Sequence, residues 1–319
     1  VSVVLLALLL TGFDVPRWAT AQEDPAPPTQ GSPVPAAQEP AAPAVQEPPT
    51  PAVQEPAAPA VQEPPTPADV VPGVTAAQGG VGTFAVVVAR QEERQTGVSI
   101  RAAEARSARV LARTAGNDLA ERPFPTASLV KLFLAEDVLH RARTGAVTLT
   151  PEDRAQLEVM IRGSNDPAAS DVWVRFGGAQ AVLDVATRYG LTGTAPPLRW
   201  GQWGETTTTA ADLARFLARL PVIAHPDDAA ALQSWMGTAT PIASDGFDQQ
   251  YGVFGTLPGA AVKQGWMCCL SGQRHLHSVG IADGRVVVLL SEVPRSVGWD
   301  AAKAALDDAA AAVPPPAGS

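Results

Sequence analysis

Four copies of Gln-Glu-Pro, starting at Gln38, Gln46, Gln54 and Gln62, recur with a period of eight and set the first limit on what this chain can fold into. The spacers between them alternate Ala-Ala-Pro-Ala-Val with Pro-Thr-Pro-Ala-Val. Proline lacks an amide N–H and its fixed φ suits extended polyproline II, so such a run cannot build a packed core. From Gln22 to Pro67 it would reach on the order of 140 Å at ~3.1 Å per residue. It reads either as a spacer carrying a domain across an envelope layer or as plain padding. The expected organisation is a disordered linker over 22–80, a folded domain over 81–313 and a disordered tail over 314–319.

The net charge of -9 argues against a nucleic-acid partner, which would need a basic face. Ahead of the linker, the apolar run Val3 to Leu10 and the Ala19-Thr20-Ala21 site read as a signal peptide over 1–21, cut before Gln22. The run is too short to span a bilayer. No cysteine lies near the cut, so the reading is a secreted or cell-envelope protein with no stable membrane anchor, expected as a monomer. The two cysteines, Cys268 and Cys269, are adjacent. Neighbours on a strand point to opposite faces. They read as unpaired thiols on a buried strand, with a redox pair as the alternative.

Within the folded part, Thr83 to Val88 reads as a strand, with Val98 to Ala103 as its partner. Pro125-Thr126-Ala127 opens a helix. Segments 151–162, 167–176, 179–189 and 209–220 have helical periodicity, and Gly145 and Gly190 stop helices. After residue 260 the pattern changes to strands at 262–270, 275–282 and 285–291, with Asp283-Gly284 as a hairpin turn, and then a closing helix over 299–313. Strands at both ends with helices between them predict an α+β fold. An antiparallel sheet is completed by both termini and packed with helices, beside an all-helical lobe and a cleft.

Lysine is scarce: Lys131, Lys263 and Lys303 stand against twenty arginines. A chain that uses arginine for ordinary surface charge leaves its lysines as candidates for work arginine cannot do, such as losing a proton when buried. Ser128 precedes Lys131 by three residues, so on a helix they share a face. A serine hydroxyl needs a base before it can attack, and a lysine with a lowered pKa is such a base. The turn Ser164-Asn165-Asp166 follows 36 residues after Ser128. Ser164 could pass a proton to a leaving nitrogen, and Asp166 could face the substrate amide; alternatively the turn only caps a helix. Lys263-Gln264-Gly265-Trp266 lies on a strand, where a glycine lets substrate backbone come close. The amides of Ser128 and Trp266 together could form an oxyanion hole. No cofactor and no metal site is called for. His275 and His277 share a strand face without a third ligand and read as packing residues. Trp200 and Trp203 line either the cleft or the core.

Ser-x-x-Lys, Ser-x-x before a helix and Lys-x-Gly in this order resemble the class A β-lactamase and penicillin-binding-protein superfamily over about 81–313. Asp166-Pro167-Ala168-Ala169-Ser170 and Thr206-Thr207-Thr208-Thr209-Ala210-Ala211-Asp212-Leu213 are similar to helix starts of that superfamily. The resemblance implies Ser128 as acylated nucleophile, Lys131 as its base, Ser164 as proton relay and Lys263 as the cation on the carboxylate side of the substrate. It also implies a β-lactam or a peptidoglycan stem peptide as substrate.

Three departures accompany it. Ser-Asn-Asp replaces Ser-Asp-Asn, so Asp166 stands where an asparagine amide would donate. Lys-Gln-Gly puts Gln264 in place of a small hydroxyl residue. Leu198-Arg199-Trp200-Gly201 places Gly201 where the deacylation glutamate is expected, leaving Glu205 as the nearest carboxylate. Three readings follow: a β-lactamase using Glu205 or another base, a slowly deacylating D,D-peptidase-like protein, or a non-catalytic wall-binding module.

Overall fold

The computed structural model describes residues 65–94 and 113–315. The signal-peptide reading, most of the linker and the Val98–Ala103 strand lie outside the described residues.

The first described element corrects the linker boundary. Helix α1 spans Pro67–Ala77, within the segment expected to be unstructured. Pro67, Pro72 and Gly73 read as breakers in sequence. Yet Thr66 and Asp69 form a capping box, with Thr66 N and Oγ1 both donating to Asp69 Oδ2 at 2.9 and 2.6 Å. Val70, Val71 and Val74 then form one buried face, so tertiary packing overrides local propensity.

Strand β1 (Thr83–Arg90) follows, then β2 (Thr114–Gly116) and the short β3 (Phe124–Pro125). A 3-10 turn at Ala127–Leu129 leads into α2 (Val130–Arg143). Helices α3 (Pro151–Arg162), α4 (Asp166–Phe176) and α5 (Gly178–Tyr189) come next. A second 3-10 turn at Trp203–Glu205 precedes β4 (Thr207–Thr208), α6 (Ala210–Ile223) and α7 (Pro226–Gly237). After the one-turn helix α8 (Val253–Thr256), the strands β5 (Ala261–Leu270), β6 (Gln273–Ala282) and β7 (Arg285–Pro294) form a meander closed by α9 (Trp299–Ala311).

The main sheet runs β2-β1-β7-β6-β5, and every pair in it is antiparallel. The first long strand and the last pair directly, with Val87 opposite Val288, so the two ends of the domain do complete one sheet. The alternation along β1 explains its continuous apolar text, because both faces are covered. Phe84, Val86 and Val88 face α1 and α9, where Val74, Leu306 and Ala309 pack. Ala85, Val87 and Ala89 face the helical side, sharing a core with α2, α6 and α7.

Helix α2 is buried from Val130 through Leu139 without a break, as a helix surrounded by other helices must be. Its two buried carboxylates are paired rather than bare. Arg188 reaches Glu136 at 2.6 Å, Tyr189 Oη donates to Glu136 at 3.0 Å, and Arg141 pairs with Asp137 at 2.7 Å.

Cys268 and Cys269 are joined in a disulfide on an exposed stretch of β5, against the expectation of buried free thiols. The strand loses its cover beyond Gly265, and the ladder slips in register between Cys268 and Leu270. The strict alternation behind the expectation therefore ends there.

Candidate active site

Four elements converge on one point. The 3-10 turn supplies Ser128 and α2 supplies Lys131. The turn before α4 supplies Ser164, the first residue of α4 is Asp166, and β5 supplies Lys263. Lys131 Nζ lies 2.8 Å from Ser128 Oγ, 2.7 Å from the Ser164 carbonyl, 3.2 Å from Ser164 Oγ and 2.6 Å from Asp166 Oδ1. An ammonium has three protons for these four acceptors. Lys263 Nζ donates to Ser164 Oγ at 2.9 Å and to the Gln264 carbonyl at 2.8 Å. Ser164 Oγ thus sits between the two lysines.

The local backbone holds these atoms in place. Ala127, just before the nucleophile candidate, has φ +46°, and Ser164 has φ +50°. A left-handed conformation at a non-glycine residue costs about 1–3 kcal/mol and persists only where the surroundings impose it. Asn165 caps α4, its side chain accepting from Ala168 N at 2.8 Å. The Ser-Asn-Asp turn is therefore a helix cap at its middle residue and a site at its outer two. Behind Ser128, the Thr126 amide donates to the Thr206 carbonyl at 2.7 Å. His277 Nε2 lies 2.8 Å from the Pro125 carbonyl, and Ser291 N donates to His277 Nδ1 at 3.3 Å. The imidazole is fully buried, which pushes its pKa down to about 3, so it is neutral with its proton on Nε2.

Both site lysines are buried, with Lys131 at 0 % and Lys263 at 1 % exposure. Burial pulls the Lys131 pKa below the ordinary lysine value, while the charge of Asp166 and a hydrogen bond to it push back upward. Lys263 is held well below the ordinary value, first by burial and then by the positive charge of Lys131. Trp203 covers Lys131, its ring centroid 4.9 Å from Nζ. Trp200, by contrast, is exposed to solvent on the preceding loop.

Gln264 does not join the site. Strand alternation turns it away from Lys263, and its buried Nε2 donates to the Gln249 and Tyr251 carbonyls at 2.9 and 2.6 Å. Gly265 has a different role from the one expected. A Cβ there would lie 3.0 Å from the Thr126 carbonyl and 3.2 Å from Leu129 Cγ. The glycine lets β5 press against the nucleophile's own turn. Trp266 donates from Nε1 to Asp245 Oδ2 at 3.1 Å and stacks on Phe247 with ring centroids 4.6 Å apart. Glu205 is engaged by Arg199 through both carboxylate oxygens. Among the described residues no hydrogen bond joins Glu205 to Ser128.

Asp245, beside Trp266 and close enough to act on the charge of both lysines, escaped the sequence reading. The segment Ser244-Asp245-Gly246 looks like any surface turn, and only the fold brings it to the site. There Ser244 N donates to the Gly163 carbonyl at 2.8 Å.

No family model matches this chain. Two curated relatives, both named "Putative lipoprotein LppW", come from Mycobacterium bovis and Mycobacterium tuberculosis H37Rv. Each is 40% identical over 177 residues, covering 52% of this chain. The chain spans about half the length of these relatives, 55%. Among solved structures, a β-lactamase from Chitinophaga pinensis superposes with a TM-score of 0.59 at 14% identity, covering 76% of this chain and 96% of that one. An ancestral class A β-lactamase superposes with a TM-score of 0.57 at 19% identity, over 76% and 98% of the two chains. The fold is that of the β-lactamase/transpeptidase-like proteins.

Proposed function

We propose that this β-lactamase-like chain is a serine acyl-transfer protein of the cell envelope, acylated at Ser128 by a β-lactam or a D-Ala-D-Ala-like amide. The observation that carries the reading is the buried Ser128 Oγ–Lys131 Nζ–Ser164 Oγ–Lys263 Nζ chain, with links of 2.8, 3.2 and 2.9 Å. Neutral Lys131 takes the Ser128 proton as Oγ attacks the carbonyl carbon. The proton then passes through Ser164 Oγ to the leaving nitrogen as its bond to the carbonyl breaks, leaving an ester on Ser128. Positioned proton transfer of this kind contributes on the order of 10²–10⁴-fold. Trp266 lies on the sheet's edge strand beside the nucleophile turn, where its amide and that of Ser128 can receive the oxyanion.

The second step needs another base. Glu205 is the candidate on the loop before α6, and its pairing with Arg199 commits it elsewhere, so the acyl-enzyme is long-lived. The lipoprotein name of the relatives supports an envelope location for this chain too. Export predicts a mature protein beginning at Gln22, read by N-terminal sequencing.

Intact mass spectrometry after exposure to a reactive penicillin tests the chemistry. One adduct is expected, on the peptide carrying Ser128, absent in Ser128→Ala and in Lys131→Arg. An adduct that survives Ser128→Ala, or none in the wild type, removes the reading and leaves a wall-binding module.

A further inference from the structure

We infer that the site selects acyl donors bearing an ammonium group, with Asp166 as the residue that receives it. The inference rests on serine acylation and adds the charge of the substrate.

The first argument is which charges the site offers to a ligand. Lys263, the cation that the resemblance assigns to a substrate carboxylate, is 1 % exposed, and its Nζ is taken by Ser164 Oγ and the Gln264 carbonyl. Lys131 is fully buried. Arg199, on the nearby loop, is 65 % exposed but neutralised by both oxygens of Glu205. In direct contact with the site lysine Lys131, the accessible charge is the carboxylate of Asp166. The Asp166 side chain is 54 % exposed even while touching Lys131. Asp245 is exposed and held in place by the Trp266 indole N–H at 3.1 Å. Its loop is tied to the Ser164 turn through Ser244 N and the Gly163 carbonyl. Indole faces stand near both lysines, Trp203 at 4.9 Å from Lys131 Nζ and Trp266 at 6.0 Å from Lys263 Nζ. Carboxylates and aromatic faces together favour a cation.

The second argument is what Asp166 does to the base. At 2.6 Å its carboxylate stabilises Lys131 as an ammonium, the form that cannot accept the Ser128 proton. A ligand ammonium that takes over the exposed side of Asp166 weakens that hold, and Lys131 loses its proton more readily. The proper substrate thus readies the nucleophile as it binds. An anionic group in its place meets Asp166 as a like charge and leaves Lys131 pinned.

Two penams that differ by one amino group, benzylpenicillin and its α-amino derivative, test this on the full chain. Acylation of the wild type, followed by mass spectrometry, should be about tenfold faster with the amino compound. Asp166→Asn should erase the preference by accelerating the reaction of the compound without the amine. In parallel, Ser128→Ala is titrated calorimetrically with both compounds, with and without Asp166→Asn. Tighter binding of the amino compound that depends on Asp166 is expected. Adducts forming equally fast with both compounds, or a preference unchanged in Asp166→Asn, overturn the inference and leave serine acylation standing. Asp166-dependent binding without any adduct overturns serine acylation and keeps the charge selection. Neither adduct nor binding preference overturns both.

Discussion

A buried lysine becomes a base only if burial outweighs the charges around it. For Lys131 burial is the larger influence, and Asp166 and Asp245 oppose it. In the proposed mechanism Lys131 works in its neutral form, so acylation should speed up as pH rises through its lowered pKa. The groups around its Nζ are Asp166, Asp245, Lys263 and the hydroxyls of Ser128 and Ser164. Removing the charge of Asp166 removes the influence that raises the lysine's pKa. In Asp166→Asn the profile of acylation rate against pH should therefore move to lower pH, and a profile that stays put or moves up contradicts the role given to Asp166. The third lysine also has a specific place. Lys303 pairs with Asp248 at 3.3 Å and lies 4.5 Å from the Phe247 ring centroid. Of the three scarce lysines, two are buried together around Ser164 while Lys303 makes an ion pair.

His277 carries a second residue-scale expectation. Its folded pKa of about 3 lies below the unfolded value of 6.5, so the unfolded chain binds more protons between the two. The stability tied to its neutrality is complete above about pH 6.5 and is lost as pH falls toward about 3, by at most about 4–5 kcal/mol. In an NMR titration the His277 ring should stay neutral down to about pH 4.5. A midpoint near the ordinary histidine value would contradict its burial behind Pro125.

At the scale of elements, the site depends on how closely β5 approaches the Ala127–Leu129 turn. Gly265→Ala would put a methyl 3.0 Å from the Thr126 carbonyl, which is backbone and cannot rotate away. We expect a loss of roughly 1–3 kcal/mol in denaturant unfolding, together with slower acylation of Ser128. Gly237→Ala, whose nearest neighbour would lie 4.0 Å away, should stay within about 0.5 kcal/mol of wild type. The loop before α6 carries the position where the resemblance expects a deacylating glutamate. Gly201 has φ +77°, and a Cβ there meets nothing within 4 Å, so its side-chain direction is open space. Gly201→Glu should leave the lifetime of the adduct within about twofold of wild type, because a base acts only within hydrogen-bond reach. Time-resolved mass spectrometry measures this directly.

At the scale of the whole molecule, the domain is closed from both ends. Helix α1 packs with α9 over the same sheet face, burying Val70, Val71, Val74, Leu306 and Ala309. A chain starting at Val81 should therefore unfold at lower temperature than one starting at Pro65. Each buried valine is worth about 1.5–3 kcal/mol, and deleting α1 removes three. Limited proteolysis should accordingly yield a resistant core that begins at or before Pro67. A core trimmed to residue 81 with unchanged melting would make α1 dispensable.

Much of this was legible because it rests on local physics. Period and punctuation marked the strands after residue 260, the Asp283-Gly284 turn with φ +50° and +71°, and α3 from Pro151 to Arg162. The three-residue spacing put Ser128 within reach of Lys131, since helical geometry alone sets that distance. Contacts between distant segments stayed hidden. Sequence could not show that α1 finds the sheet, that Asp166 turns to Lys131, or that Asp245 arrives near both lysines on a loop about 80 residues further on. Nor could it show that Gln264 points into the core. The sequence by itself determined which residue types stand at motif spacing and which stretches can pack, because residue type and periodicity are properties of a few neighbours. Only the tertiary structure decided which charges meet, because burial and Coulomb's law act across space without regard to chain order.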